Sequence, residues 1–163
     1  MTYPSIFPTG TTLYDPGRCW NGYTVFQAKE VGALLIDMNG GEVQLWKELH
    51  GMPNRILPGG HLIGSTGERS TAFGSQDGID LVQVDWDGNV VWRFDQYEFI
   101  EDPGEAPQWM ARQHHDYQRE GSPVGYFAPG LEPLTDRGNT MILSHKNVRN
   151  PAICDKPLLD DSI

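Results

Sequence analysis

The chain has 163 residues, of which 38% are hydrophobic, so it is long and apolar enough to form one core of ordinary size. Its formal net charge of -10 at pH 7 excludes nucleic acid and anionic membranes as expected partners, because the long-range field of the protein repels polyanions. Residues 1–10 lack a basic segment and an apolar stretch, and the longest apolar run is interrupted by Gly32 and Asp37, so we expect a cytoplasmic protein without a secretory signal or membrane span.

Two segments of the chain repeat each other and each predict a β-hairpin. Residues 33–46 align without a gap on residues 81–94, so that Asp37 matches Asp85 and Gly40 matches Gly88. In each copy, an apolar strand runs into Asn-Gly or Asp-Gly, whose residues accept the positive φ of a tight turn. Repeats of roughly 40 to 50 residues with several short strands are typical of propeller blades. An alternative is a β-sandwich that contains two unrelated hairpins.

Each hairpin is followed by a further predicted strand that begins at a glycine turn. The first strand follows Pro58-Gly59-Gly60, the second covers 140–143, and segment 157–163 has the composition of a strand that leads into a hairpin. We therefore predict an all-β chain that forms a partial β-propeller of about two blades. Because a propeller closes with roughly 4 to 8 blades, we expect a second polypeptide or a cleaved remainder to complete the ring. The predicted parts are an N-terminal segment 1–30, a first blade-like unit 31–80, a second unit 81–150 with a long insertion 101–134, and the start of a further blade 151–163.

Several short motifs occur in an order that is informative about the family. They are residues 21–26, 35–40, 58–60 and 84–92, followed by His114-His115-Asp116 and by Gly138-Asn139-Thr140. From about residue 9 to 163 this order resembles the arylsulfotransferase family. The resemblance implies a six-bladed propeller that transfers a sulfuryl group between phenols through a histidine at its central channel. A small aromatic molecule is then the expected substrate. The alternatives are a lyase or hydrolase of a small aromatic compound on the same scaffold, with or without a metal, and a non-catalytic interaction propeller.

The densest group of polar side chains begins at His114. A neutral imidazole that a carboxylate holds in one tautomer can attack sulfur or phosphorus, transfer protons or bind a metal. Adjacent residues of a strand point to opposite faces, so only one of His114 and His115 can face the channel. The resemblance favours His115, and His114 is then expected to pack beside it or support it. We predict His115, His114 and Asp116 as catalytic residues, the alternative being a purely structural His-Asp pair.

Other polar and aromatic residues are predicted to bind the substrate. His145 and Asn147 lie two positions apart at the end of a predicted strand, so they share one face and could bind an oxyanion; the alternative is that they only form the polar end of the strand. Arg119 lies close to the histidine pair in sequence and is assigned the same role. The insertion 101–134 is longer than a turn requires, and long loops commonly carry function. We predict that three of its aromatic residues contact an aromatic ligand: Trp109, Tyr126 and Phe127.

A transition-metal site is an alternative use of the same histidines. Imidazole and carboxylate groups suit zinc, iron and copper, and His114, His115 and Asp116 could supply them, joined by His145. Their spacing matches no known metal-binding motif, so these residues are candidate ligands but the sequence does not indicate which ion they would bind.

Overall fold

The computed structural model describes residues 11–74, 77–121, 130–132 and 134–163. The chain is all-β, with 46% of its residues in strands and 4% in helix, and the prediction of an all-β chain is confirmed. None of the helices in these ranges is long and apolar enough to cross a membrane. The strands, in chain order, are β1 (Thr24–Ala28), β2 (Gly32–Ile36), β3 (Glu42–Trp46), β4 (Gly51–Leu57), β5 (His61–Ser65), β6 (Leu81–Val84), β7 (Val90–Phe94), β8 (Glu98–Ile100), β9 (Gln108–Met110), β10 (Gln113–Arg119), β11 (Thr140–Val148) and β12 (Leu158–Ser162).

The strands form four antiparallel sheets, none of which closes on itself within the described ranges. Their orders are β1-β2-β3, β4-β5-β6-β7, β8-β9 and β10-β11-β12, so neighbours in each sheet are also neighbours in sequence. A short 3-10 helix (Pro58–Gly60) joins β4 to β5, and one helix, α1 (Thr71–Gly74), lies between β5 and β6. Strands that follow one another in sequence commonly pair directly through short connections.

Both predicted hairpins are confirmed. β2 pairs with β3 and β6 pairs with β7, each through a turn in which an aspartate side chain closes the loop. Asp37 Oδ1 accepts the Gly41 N–H at 2.8 Å, and Asp85 Oδ1 accepts the Asn89 N–H at 2.8 Å. The glycine that follows lies in the left-handed region, with φ of 80° at Gly40 and 88° at the matching position of the second hairpin. These turns explain why the aspartate recurs at both positions.

The strands expected after the glycine turns are also present. β5 begins at His61 and β11 begins at Thr140, and the C-terminal segment forms β12. β12 pairs antiparallel with β11, with Ser144 opposite Ser162. The β10-β11-β12 sheet therefore has the same antiparallel strand order as β4-β5-β6 in the four-stranded sheet. The division into units at residues 31, 81 and 151 stays a prediction.

Among the described residues, two hydrophobic clusters pack these sheets against one another. The first joins β2 and β3 to β5 and β6, and its buried members are Ala33, Leu35, Trp46, Leu49, Leu62, Val82 and Val84. The second joins the four-stranded sheet to β10, and its buried members are Leu57, Ile63, Leu81 and Tyr117. The Tyr117 hydroxyl lies 2.9 Å from the Pro53 carbonyl and 2.8 Å from that of Ile63, so it ties β10 to β4 and β5. Burial raises the pKa of Tyr117 and keeps that hydroxyl protonated.

Candidate active site

Three polar side chains meet on neighbouring strands of the β10-β11-β12 sheet. His114 lies on β10, His145 on β11 and Asp161 on β12, and the pairing of β11 with β12 sets His145 opposite Asp161. Asp161 Oδ1 is 3.2 Å from His114 Nε2 and 3.6 Å from His145 Nε2. The two imidazole rings are stacked, with centroids 3.6 Å apart and planes inclined by 15°. Strand pairing thus brings together groups that are far apart in sequence.

A buried carboxylate fixes the orientation of the His145 ring. Asp77 Oδ1 lies 2.5 Å from His145 Nδ1, while Asp77 Oδ2 accepts hydrogen bonds from Arg112 Nε at 2.9 Å and from Arg69 Nη1 at 3.3 Å. The Asp77 side chain is 1% exposed. A carboxylate between two guanidinium groups is ionised and can only accept, so the Nδ1 atom carries the hydrogen. His145 Nε2 is left as the nitrogen that faces His114 and Asp161.

The two arginines belong to a larger network of buried charges. Arg112 is 1% exposed, and its Nη1 donates to Glu98 Oε2 at 2.5 Å and to Asn147 Oδ1 at 3.1 Å. Arg69 Nε donates to Asp102 at 2.7 Å, and this hydrogen bond raises the pKa of Arg69. His145 and Asn147, two residues apart on β11, therefore both contact the Arg112–Asp77 pair. Hydrogen bonds to every charge are what makes burial of such a network tolerable.

His114 is buried and, among the described residues, has no hydrogen-bonding partner. Its side chain is 3% exposed, and in the part of the chain that the structure describes neither ring nitrogen has an acceptor or donor in hydrogen-bonding geometry. Asp161 Oδ1 lies 3.2 Å from His114 Nε2 without forming a hydrogen bond to it. Burial lowers the pKa of His114, and the adjacent His145 lowers it further, so its neutral form is favoured.

β10 is irregular at the two histidines. The pairing of β10 with β11 shifts register between Gln113 and Tyr117, and the φ angles of Arg112 and His115 are 51° and 56°. Left-handed backbone costs a non-glycine residue about 1–2 kcal/mol, and such strain is often found at functional sites. Because of this bulge, His114 is buried and faces His145, whereas His115 is exposed.

Two other residues that the sequence suggested lie apart from this cluster. The Asp116 side chain is 62% exposed and forms an ion pair with Arg55. Arg119 is buried: its Nη1 and Nη2 each donate at 3.1 Å, to the Leu134 carbonyl and to Gln83 Oε1 respectively. Its guanidinium carbon also lies 5.4 Å from the centre of a tryptophan ring, and burial lowers the pKa of Arg119. Both side chains hold β10 against the four-stranded sheet.

The predicted aromatic contacts are only partly within the described ranges. Trp109 lies on β9, is half-exposed, and packs edge to face against Phe99 of β8 with ring centroids 5.7 Å apart. Tyr126 and Phe127 lie outside the described residues. The expectation that these three residues contact an aromatic ligand stays a prediction.

The two carboxylates that approach His145, Asp161 and Asp77, were not predicted from the sequence. Asp161 lies in the segment that was expected to form a strand, and the register of β12 on β11 is the signal that would have placed it beside His145. Asp77 lies in a connection between β5 and β6, where no periodic pattern marks it. Its partners are distant in sequence, so only the tertiary structure shows its role.

The same cluster offers ligands for a metal ion. One ligand atom each from His114, His145 and Asp161 lies within 4.8 Å of the others. The lone pair of an imidazole nitrogen lies in the plane of its ring, and these two planes are nearly parallel. One ring would therefore have to rotate before both histidines could bind one ion. As it stands, the arrangement is suited to a histidine that acts through Nε2 with a carboxylate on Nδ1.

Comparison of the chain with protein-family models, with curated proteins and with solved structures gave no match. The resemblance to the arylsulfotransferase family stays a prediction that depends on the motifs named above. Any function must therefore be inferred from the geometry of the cluster.

Proposed function

We propose that the chain carries the reactive histidine of an enzyme that transfers sulfuryl groups between phenols, and that His145 is this histidine. The observation that carries the proposal is the contact of 2.5 Å between Asp77 Oδ1 and His145 Nδ1. It fixes the tautomer in which Nε2 has a free lone pair, as the carboxylate of a catalytic triad does. The His145 side chain is 18% exposed against 3% for His114, so a substrate reaches His145 more easily.

The reaction needs only groups that the site or the substrates supply. The lone pair of His145 Nε2 attacks the sulfur of an aryl sulfate, the bond between sulfur and the aryl oxygen breaks, and the donor leaves as a phenolate. The sulfated ring then has a positive charge, which the ionised Asp77 stabilises through the hydrogen on Nδ1. The acceptor phenol attacks sulfur and breaks the nitrogen–sulfur bond. The proton that the acceptor loses balances the proton that the donor phenolate takes up through solvent.

The strand arrangement also supports a propeller scaffold for this site. β4 to β7 form a four-stranded antiparallel meander, which is the usual form of a blade. The β2–β3 hairpin repeats the β6–β7 hairpin in sequence, and β10-β11-β12 repeats the order of β4-β5-β6. We propose that these sheets are blades of a ring whose remaining blades come from another polypeptide or another segment of a precursor.

Turnover of p-nitrophenyl sulfate with a phenol acceptor tests this function. We expect the wild-type protein to release p-nitrophenolate and to acquire the mass of one sulfuryl group on His145 when the acceptor is omitted. His145→Gln should abolish both signals, whereas His115→Gln should retain them, because that exposed ring packs edge to face on His114, with ring centroids 5.1 Å apart, and is not hydrogen-bonded to the Asp77–His145 pair. Loss of activity in the His115 variant alone would instead support the residue that the sequence resemblance favoured. No turnover and no adduct with any aryl sulfate would contradict the proposal.

A second candidate is a metal-assisted hydrolase or lyase of a small aromatic compound. It is favoured by the approach of His114, His145 and Asp161 to one another, and by Asp77, since metal-binding histidines commonly donate their other N–H to a carboxylate. The stacked rings argue against it. Metal analysis of the purified protein separates the two candidates, because a stoichiometric transition metal would contradict simple attack by the histidine.

Asp161→Asn distinguishes the sulfuryl-transfer candidate from the metal-assisted candidate by a second measurement. The Asp161 side chain is 65% exposed and its carboxylate would repel an anionic aryl sulfate bound at His145 Nε2. Two like charges about 4 Å apart in water repel each other by about 1 kcal/mol, so sulfuryl transfer should show a KM lower by about 5-fold. In a metal enzyme the same change removes a ligand, and both activity and metal content should fall.

A further inference from the structure

Arg112 is connected to His145 through both its backbone and its side chain. The Arg112 carbonyl accepts the backbone N–H of His145 at 3.0 Å. Its guanidinium Nε donates at 2.9 Å to Asp77, the carboxylate that holds the His145 ring. One residue therefore sets both the position of the His145 backbone and the orientation of its ring.

Arg69 contributes less to the position of Asp77. Its contact with Asp77 is 3.3 Å long, and the same guanidinium is engaged with Asp102 through two nitrogens. Arg112 approaches Asp77 more closely, and its Nη1 is anchored by Glu98. Arg112 is therefore the arginine that mainly fixes the Asp77 carboxylate.

The backbone conformation and the burial of Arg112 both cost free energy, which a residue with only a packing role would not require. Its φ of 51° lies in the region that glycine adopts without strain, and its guanidinium is 1% exposed. The left-handed conformation costs about 1–2 kcal/mol, and removing a guanidinium from water costs several kcal/mol more before its ion pairs form. A glycine would adopt this backbone conformation without strain, but it would leave Asp77 without the closer of its two guanidinium donors.

We propose that Arg112 is a positioning residue for His145, which it keeps in the tautomer with hydrogen on Nδ1 and a free lone pair on Nε2. This inference rests on the proposed role of His145, and Arg112 itself does not touch the substrate. The side chain acts through Asp77, and the strained backbone acts through the hydrogen bond to β11. Lysine cannot replace it, because an ammonium lacks the planar fork that binds Asp77 and Glu98 together.

The test compares Arg112→Lys, Arg112→Gly and the control Arg93→Lys. Arg93 also holds a buried carboxylate, that of Asp80, at 2.5 Å. The ¹⁵N shifts of the histidine rings, assigned by comparison with His145→Gln, report which nitrogen of His145 carries the hydrogen. We expect both Arg112 variants to populate the Nε2–H tautomer and to lower kcat for aryl sulfate by about 10-fold to 100-fold with little change in KM, which is the loss typical when a residue that orients a metal-binding histidine is removed. The Arg93 variant should leave the tautomer and kcat unchanged.

The glycine variant keeps the test decisive even if the lysine variant does not fold, because glycine relieves the strain at φ 51°. A folded Arg112→Gly protein with the wild-type tautomer at His145 would overturn the proposal. If the tautomer changes but the wild-type protein transfers no sulfuryl group, the positioning role stands and the proposed function fails. The two failures are therefore distinguishable.

Discussion

Replacing Asp77 by Asn removes a charge on which three side chains depend. Asp77 is 1% exposed and has contacts with Arg69, Arg112 and His145. Asparagine keeps the shape, but its amide has one acceptor oxygen and a donor NH₂ group, so either Arg112 or His145 loses its acceptor. Breaking a buried ion pair by removing one partner costs about 3–5 kcal/mol, because the other charge stays buried without compensation. We expect Asp77→Asn to lower the free energy of unfolding by that amount.

The same substitution should remove activity by more than its effect on folding would explain. If the asparagine turns its oxygen toward Arg112, its NH₂ group faces His145 Nδ1 and favours the tautomer with hydrogen on Nε2. The nucleophilic lone pair is then on the wrong nitrogen. In the serine protease triad the equivalent change lowers kcat by about 10⁴-fold, and we expect a loss of similar order for aryl sulfate turnover under conditions where the variant is folded.

Urea unfolding followed by tryptophan fluorescence measures the first effect. Asp116→Asn is the matched control, because the Asp116 side chain is 62% exposed and its pair with Arg55 should be worth only about 0–1 kcal/mol. If the Asp77 variant were no less stable than the control, the buried network would not have the role that we assign to it.

Three further measurements follow from the fold. Burial lowers the pKa of His114, so as the pH falls below about 6.5 the unfolded chain takes up a proton before the folded one does, and the free energy of unfolding decreases until the folded pKa is reached. His114→Gln should reduce the difference between the free energies of unfolding measured with urea at pH 7 and at pH 5. Gly60→Ala should lower the melting temperature by several degrees more than Gly88→Ala, because both have positive φ but only the first places Cβ 2.6 Å from Trp86. Leu62→Ala, at a fully buried core position, should cost about 2–5 kcal/mol in the same urea assay.

The strands could be predicted from the sequence because their signals are local. Each confirmed hairpin is marked by an aspartate, a glycine that accepts positive φ, and apolar residues on both sides. The β12 strand was likewise recognisable from its composition. Its pairing with β11 was not, since antiparallel register across a connection of nine residues, 149–157, has no marker in the sequence. The sequence therefore predicted β12 itself but not the strand with which it pairs.

The site was less predictable because β10 is irregular at the histidine pair. Regular alternation requires His114 and His115 to face opposite sides, but it cannot say which side is buried. Which side is buried depends on the bulge between Gln113 and Tyr117 and on the left-handed φ of His115. Both features depend on contacts outside β10. The carboxylate beside the histidine pair in sequence, Asp116, turns to solvent. Carboxylates from elsewhere in the chain, Asp77 among them, approach the imidazoles instead.

The distance between Asp77 and His145 is set by backbone contacts between two sheets. The Gly78 N–H donates to the Gln113 carbonyl at 2.7 Å, and the Ala111 N–H donates to the Ile79 carbonyl at 2.9 Å. These bonds hold the segment before β6 against the strand that carries His114. The carboxylate therefore reaches the ring only while the four-stranded sheet is docked on β10-β11-β12. Because undocking would separate the pair before either sheet had to unfold, the tautomer of His145 should report on the contact between these sheets as sensitively as on the site itself.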